Sequence, residues 1–226
     1  MRAATSLLLI ACLSTTVAFA ADKSGQPTTR KEAREQFSAD GLEKVEVKGL
    51  DVAYARPGAQ LSGYKSVLVR PVTVAFRTDW LRSSGLHGVR PRPDDIERVR
   101  ARVSTFVREE FEKELKDAGI AQAQAPGDDV LEINLAITDL YAAAPEIQVP
   151  ARSDVWAVSA GEMTLVGELR DSVGGGTLFR FYDHGQAREW TRPRKILFNE
   201  NETEARKISR AWAKALREGL QAAQKK

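Results

Sequence analysis

Cysteine is almost missing from the 226-residue chain: the single one, Cys12, lies in an N-terminal apolar run. A disulfide, a thiolate nucleophile and a cysteine metal site are therefore excluded from everything that follows it. Histidine is nearly as scarce. His87 and His184 stand far apart, without the H-x-x-x-H or H-x-H spacing that puts two imidazoles on one ion. No apolar run reaches the ~20 residues needed to cross a bilayer. Charge of one sign is also lacking, since 34 Lys and Arg face 31 Asp and Glu, a formal net charge of +3. That balance is wrong for a nucleic-acid polyelectrolyte, so no nucleic-acid partner is expected. No motif for a cofactor or a metal is present, and none is expected.

What the first residues do hold is an address. Arg2, the run Leu7-Leu8-Leu9-Ile10-Ala11 and the closing Ala18-Phe19-Ala20 predict a secretory signal peptide over residues 1–20, cut between Ala20 and Ala21. Leu9-Ile10-Ala11-Cys12 also matches a bacterial lipobox, in which Cys12 is acylated and becomes the new N-terminus. The first reading makes the protein periplasmic or secreted; the second makes it an outer-membrane lipoprotein, with a membrane contact only through the lipid on Cys12.

Residues 21–49 are rich in Lys, Glu, Gln, Ser and Thr, with Phe37 the lone aromatic side chain, and predict a flexible tether with at most a turn or two of helix near Lys31 to Gln36. Residues 50–226 predict one folded domain. Tyr64 to Phe76 alternates as a strand with Pro71 at an edge or bulge. Ile96, Val99, Val103, Phe106, Val107, Phe111 and Leu115 recur at helical spacing behind Asp94-Asp95. Leu131, Ile133, Leu135 and Ile137 alternate as a half-buried strand. Gly161 to Arg170 and Thr177 to Tyr182 flank Gly174-Gly175-Gly176 and predict an antiparallel hairpin. Residues 184–200 predict a basic loop, after which Asn201 caps a last helix through Ile208, Trp212, Leu216 and Leu220. The order strand, helix, strand, strand, strand, helix predicts an α+β two-layer sandwich: a mixed sheet of about four strands, two long helices on one face and a polar far face.

Few residues offer chemistry. Ser62-Gly63-Tyr64-Lys65 has the S-x-x-K spacing that puts a lysine beside a serine nucleophile on one helical turn, but Gly63 and the strand after it oppose a helix, and no S-D-N or K-T-G companion follows. Asp183-His184 is a dyad only on paper, because neighbours in an extended segment point to opposite sides. The three glycines lack the helix and the Lys-Ser/Thr pair of a phosphate loop. Asp94-Asp95 and Asp128-Asp129 are explained by a helix cap and a turn. Arginine is in excess, 22 against 12 lysines. Arg77, Arg82, Arg90, Arg92, Arg98, Arg100, Arg102 and Arg108 crowd one loop and helix, either as a solvated face paired with Glu97, Glu109 and Glu110 or as a site for an anionic envelope component.

Tyr54-Ala55-Arg56-Pro57-Gly58-Ala59, Tyr64 to Val74, Ile137-Thr138-Asp139-Leu140-Tyr141, Ala144-Pro145-Glu146, Gly161 to Ser172 and Arg210-Ala211-Trp212-Ala213 together resemble the bacterial envelope family called domain of unknown function family 3313, over most of residues 50–220. The resemblance implies an exported protein without an established activity or a catalytic residue set. The placement of Cys12 departs from the lipoprotein members. These readings lead to a non-enzymatic periplasmic module that binds another envelope protein or polymer. Its expected contact surface is drawn from three loops: Arg77, Trp80, Arg82, Arg90, Arg92, Tyr141, Trp156, Arg188, Trp190 and Arg192. The alternatives are a periplasmic serine hydrolase using Ser62 and Lys65, and a small-molecule or lipid carrier.

Overall fold

The computed structural model describes residues 26–80, 91–143, 155–157, 159–196 and 198–224. Order begins at a reciprocal cap. The Thr29 hydroxyl accepts the Glu32 amide at 3.2 Å, while the Glu32 carboxylate accepts the amides of Thr28 at 2.9 Å and Thr29 at 3.2 Å. This starts helix α1, Arg30–Ala39. Ala33 and Phe37, four residues apart, fall on one side of it and are buried together with Leu42 against Val52, Tyr54, Ala136, Val166 and Tyr182. Phe37 meets the Tyr54 ring edge-on, with centroids 5.9 Å apart. The tether expected over residues 21–49 is thus corrected from Thr28 onward: two apolar side chains suffice because a sheet stands ready to bury them. Strand β1, Glu43–Lys44, completes this segment.

The sheet is larger than the expected four strands. Its members are β1, β2 (Val52–Ala55), β3 (Ser66–Val69), β4 (Thr73–Phe76), β5 (Ala121–Gln122), β6 (Val130–Ala142), β8 (Gly161–Asp171) and β9 (Thr177–Gln186). They lie in the order β1-β2-β9-β8-β6-β3-β5, with β4 also against β6. β7 (Val155–Ala157) and β10 (Arg194–Ile196) form a separate antiparallel ribbon. β3 and β4 both run parallel to β6, one after the other. Pro71, which has no amide to donate, separates them, so the single predicted strand becomes two. β8 and β9 form the predicted hairpin. The missed strands have two to four residues each and are too short to carry a period of their own.

Two long helices, α2 (Pro93–Asp117) and α3 (Phe198–Gln224), cover one sheet face. α3 begins three residues before the predicted cap at Asn201. Leu131, Ile133, Leu135 and Ile137 of β6 enter the core below the helices with Met163, Leu165, Phe181, Phe111 and Trp212. Gly167 makes room there, since a Cβ at this position would stand 2.0 Å from the Phe181 ring. The helices run in the same direction, because their ion pairs climb both chains together: Arg102–Glu202 at 2.6 Å, Arg206–Glu110 at 3.2 Å, Arg210–Glu110 at 3.1 Å and Arg217–Glu114 at 2.9 Å. The opposite sheet face is polar except where α1 covers it, which adds a third, partial layer to the predicted sandwich. No described helix is long and apolar enough to cross a membrane.

Candidate functional site

The sheet has two ends with different character. At the Gly161 end, β6 departs from its ladder at Asp139, whose φ of 51° is a left-handed conformation that aspartate tolerates. Beyond this bulge Tyr141 pairs with Glu162 across the strands. The Arg77 guanidinium lies over the Tyr141 ring at 4.3 Å, donates to Asp79 at 2.6 Å and pairs with Glu162. These partners, Asp79 first, hold Arg77 firmly cationic. His184 places Nδ1 3.2 Å from the Thr164 hydroxyl and Nε2 3.5 Å from Glu162. It belongs to β9 and not to a loop. Burial pushes the Asp139 carboxyl upward, against the opposing pull of Arg77 and His184. Trp190 packs with Tyr141 and Ala157 around Ala143 and Ile196.

Three of the predicted surface residues, Arg77, Tyr141 and Trp190, are therefore gathered at one end. Trp80 is in the same region but is only 1% exposed; it stacks on Phe76 at 4.3 Å and donates Nε1–H to the Ala142 carbonyl at 3.0 Å. Its place on the expected contact surface is corrected, because a bulky indole with a single donor fills the joint between β4 and β6. Arg92, Arg188 and Arg192 are exposed. Arg82, Arg90, the Trp156 side chain, Cys12, Ala20 and Ala21 lie outside the described residues. The remaining arginines are mostly neutralised: Arg98 by Asp95 at 3.0 Å, Arg108 by Glu112 at 2.6 Å, Arg100 by Glu97. This favours the solvated-face reading for the helix itself.

Between the two ends Asp183 and His184 do point to opposite faces. Asp183 turns under the helices, accepting the Trp212 indole N–H at 2.6 Å and the Asp51 amide at 2.7 Å. Burial raises its carboxyl above the usual range despite both donors.

The Asp171 end is apolar. A groove of about 780 Å³ lies there beside the C-terminal half of α3. Leu216, Gly219 and Leu220 form its helical wall, Leu169, Leu178 and Phe179 its floor, and Val45, Val47, Leu50 and Leu61 its outer wall. A pocket this size falls in the ~300–1,000 Å³ range of small-molecule sites. By contrast, the space between α2 and α3 at the Gly161 end is about 60 Å³, room for a few waters. Val45 and Val47 of the groove's outer wall come from the segment read as tether, and their alternation was its available signal. The polar side chains of the lining are Glu46, Lys48, Gln60, Ser62 and Glu218.

Ser62 and Lys65 flank a turn and not a helical turn, and the Lys65 ammonium is directed to Asp129 at 3.6 Å. The arrangement needed for lysine-assisted serine attack is not assembled. Nearby, Asp171 accepts the Tyr64 hydroxyl at 2.8 Å and the amides of Val173 at 3.1 Å and Gly174, closing the hairpin loop. The Gly174 amide first, then the Tyr64 hydroxyl, hold Asp171 below its usual range, and burial, with the Asp171 carboxylate as partner, pushes Tyr64 up to about 12. Among the described residues, no three His, Cys, Asp or Glu side chains come together as a metal site.

The architecture defines an α+β domain with a mixed sheet, a parallel helix pair and one partial outer layer. The chain belongs to the family described as Protein of unknown function (DUF3313), whose model matches residues 33–216. The match takes in Phe37 and the groove's outer wall. No curated protein matches the chain. Among solved structures, it is similar to a Xanthomonas campestris protein of the DUF330 family, at 11% identity and a TM-score of 0.40, covering 72% of this chain and 86% of that one. It is also similar to a minor lipoprotein of Acinetobacter baumannii, at 10% identity and 0.35, covering 70% and 94%. A third likeness is to a PelC dodecamer from Paraburkholderia phytofirmans, at 13% identity and 0.33, covering 70% and 94%. These likenesses are too distant to bear on ligand or assembly.

Proposed function

We propose that the protein is an exported, non-catalytic binding protein of the cell envelope, and that its working element is the groove at the Asp171 end. The groove itself carries this reading: it is a concave apolar surface of ligand size, built by elements from both ends of the chain. Apolar surface is otherwise well covered, since Val173 is the one large apolar side chain fully exposed among the described residues. The carrier reading is thereby preferred to a flat hydrophobic protein contact.

Gly219 supplies the test. A Cβ there would meet Val47 at 3.9 Å, ordinary contact, so a leucine fits the helix and projects into the groove. Replacing glycine in a helix interior also stabilises by roughly 0.5–1 kcal/mol. The wild type is expected to bind the fluorescent apolar probe N-phenyl-1-naphthylamine saturably, and Gly219→Leu to lose that binding with its melting temperature kept or raised. Wild-type protein that leaves the probe unbound overturns the reading. A serine-reactive fluorophosphonate is expected to leave Ser62 unlabelled. The mature chain is expected to begin at Ala21; an acylated Cys12 in its intact mass supports the lipoprotein alternative instead.

Arg77, Tyr141 and Trp190, gathered at the Gly161 end, together with the exposed Arg92, Arg188 and Arg192, support a second reading, a contact with an anionic envelope component. Crosslinking in envelope extract, with the three exposed arginines replaced by alanine as control, tests it.

A further inference from the structure

The charges around the groove mouth are unevenly cancelled. Glu46 is paired with Lys44 at 2.5 Å, and Glu218 is flanked by Arg217 at 3.2 Å and Lys214 at 4.0 Å, so both carboxylates of the rim already have cations. Lys48 also lines the groove and is exposed, and among the described residues no carboxylate pairs with it. Gln60 and Ser62 add uncharged hydrogen-bond donors to the same lining. Lys48 is thus the one charged lining group without a counter-ion among the described residues, and it stands with the neutral donors of Gln60 and Ser62.

Resting on the groove reading above, we infer that the ligand is a free single-chain anionic amphiphile: an aliphatic chain lying on the part-exposed Val47, Leu61, Leu178 and Phe179, with its anionic head at Lys48. The helical wall from Ala215 to Ala223 is about 12 Å long at 1.5 Å per residue. One chain lies along a wall of that length, and the paired rim carboxylates disfavour a cationic head. A charge-assisted contact at a partly solvated mouth adds selectivity for the anion over its neutral analogue and is weakened by salt.

The experiment displaces the bound naphthylamine probe with dodecanoate, dodecanol and dodecyltrimethylammonium, each below its micelle concentration. Dodecanoate is expected to displace the probe at about tenfold lower concentration than dodecanol, as one charge-assisted hydrogen bond allows. Lys48→Met is expected to close that gap. Lys207→Met, which removes the same charge from a lysine paired with Glu204 on α3 and away from the groove, is expected to leave it intact. Dodecanoate performing no better than dodecanol, while the probe still binds, overturns the ligand class and leaves the groove standing. Failure of the wild type to bind the probe at all removes the groove reading itself. Binding of dodecanoate only within phosphatidylglycerol vesicles overturns the inference in favour of a membrane surface.

Discussion

Two aspartates show how position, not residue type, sets the sign of a pH effect. Asp183 is buried beneath α3, and its folded carboxyl stands above the ordinary value of about 4. A raised acid loses stability as pH climbs from the unfolded to the folded value, so wild-type stability minus that of Asp183→Asn is expected to fall as pH rises above about 4 and through the folded value in urea titrations. Asp171 is the reverse case. Its pKa is lowered by the Gly174 amide and the Tyr64 hydroxyl, and its contribution is present above the unfolded value and lost as pH falls through the folded one. The difference between wild type and Asp171→Asn is therefore expected to be largest at neutral pH and to vanish in acid. Asp183→Ala, which strands the Trp212 and Asp51 donors, is expected to cost about 2 kcal/mol. The sequence marks both aspartates only as polar positions beside a strand or a turn; Asp183 is raised by burial beneath α3, whose Trp212 lies 29 positions away, whereas Asp171 is lowered first by the Gly174 amide of its own loop and then by the Tyr64 hydroxyl.

At the scale of elements, the N-terminal helix is the sharpest departure from what its composition predicts. Its charge content resembles a solvated linker, yet Phe37 is 1% exposed and seated on Tyr54. Phe37→Ala is expected to destabilise by about 3 kcal/mol, measured by chemical denaturation, where a tether residue changes nothing. The local signal was present in Thr29-Arg30-Lys31-Glu32, the spacing of a capping box, and in Ala33 and Phe37 one turn apart. Long elements were legible for the same reason read in reverse. α2, β6 and the β8–β9 hairpin repeat their apolar positions often enough for the period to stand out, whereas β1 and β5 have two residues each and exist only because a neighbour offers an edge.

For the molecule as a whole, the chain's beginning closes on its end. β2 pairs with β9, and Val45, Val47 and Leu50 face Leu216 and Leu220 across the groove. A chain started at Leu50 is expected to melt at lower temperature, to lose naphthylamine binding and to self-associate in light scattering, because it bares Tyr54, Val166 and Tyr182 and removes the groove's outer wall. The sequence by itself determined the family, the α+β class, both long helices, the hairpin and the absence of cysteine chemistry after residue 12, since each is written in composition or in a repeat spanning a few turns. Only the tertiary structure decided that residues 30–49 belong to the domain, that Trp80 is interior, that Arg102, Arg206, Arg210 and Arg217 meet glutamates of the other helix, and that a groove opens beside α3. Those outcomes depend on residues brought together from distant parts of the chain, and a contact of that kind leaves no local pattern to read.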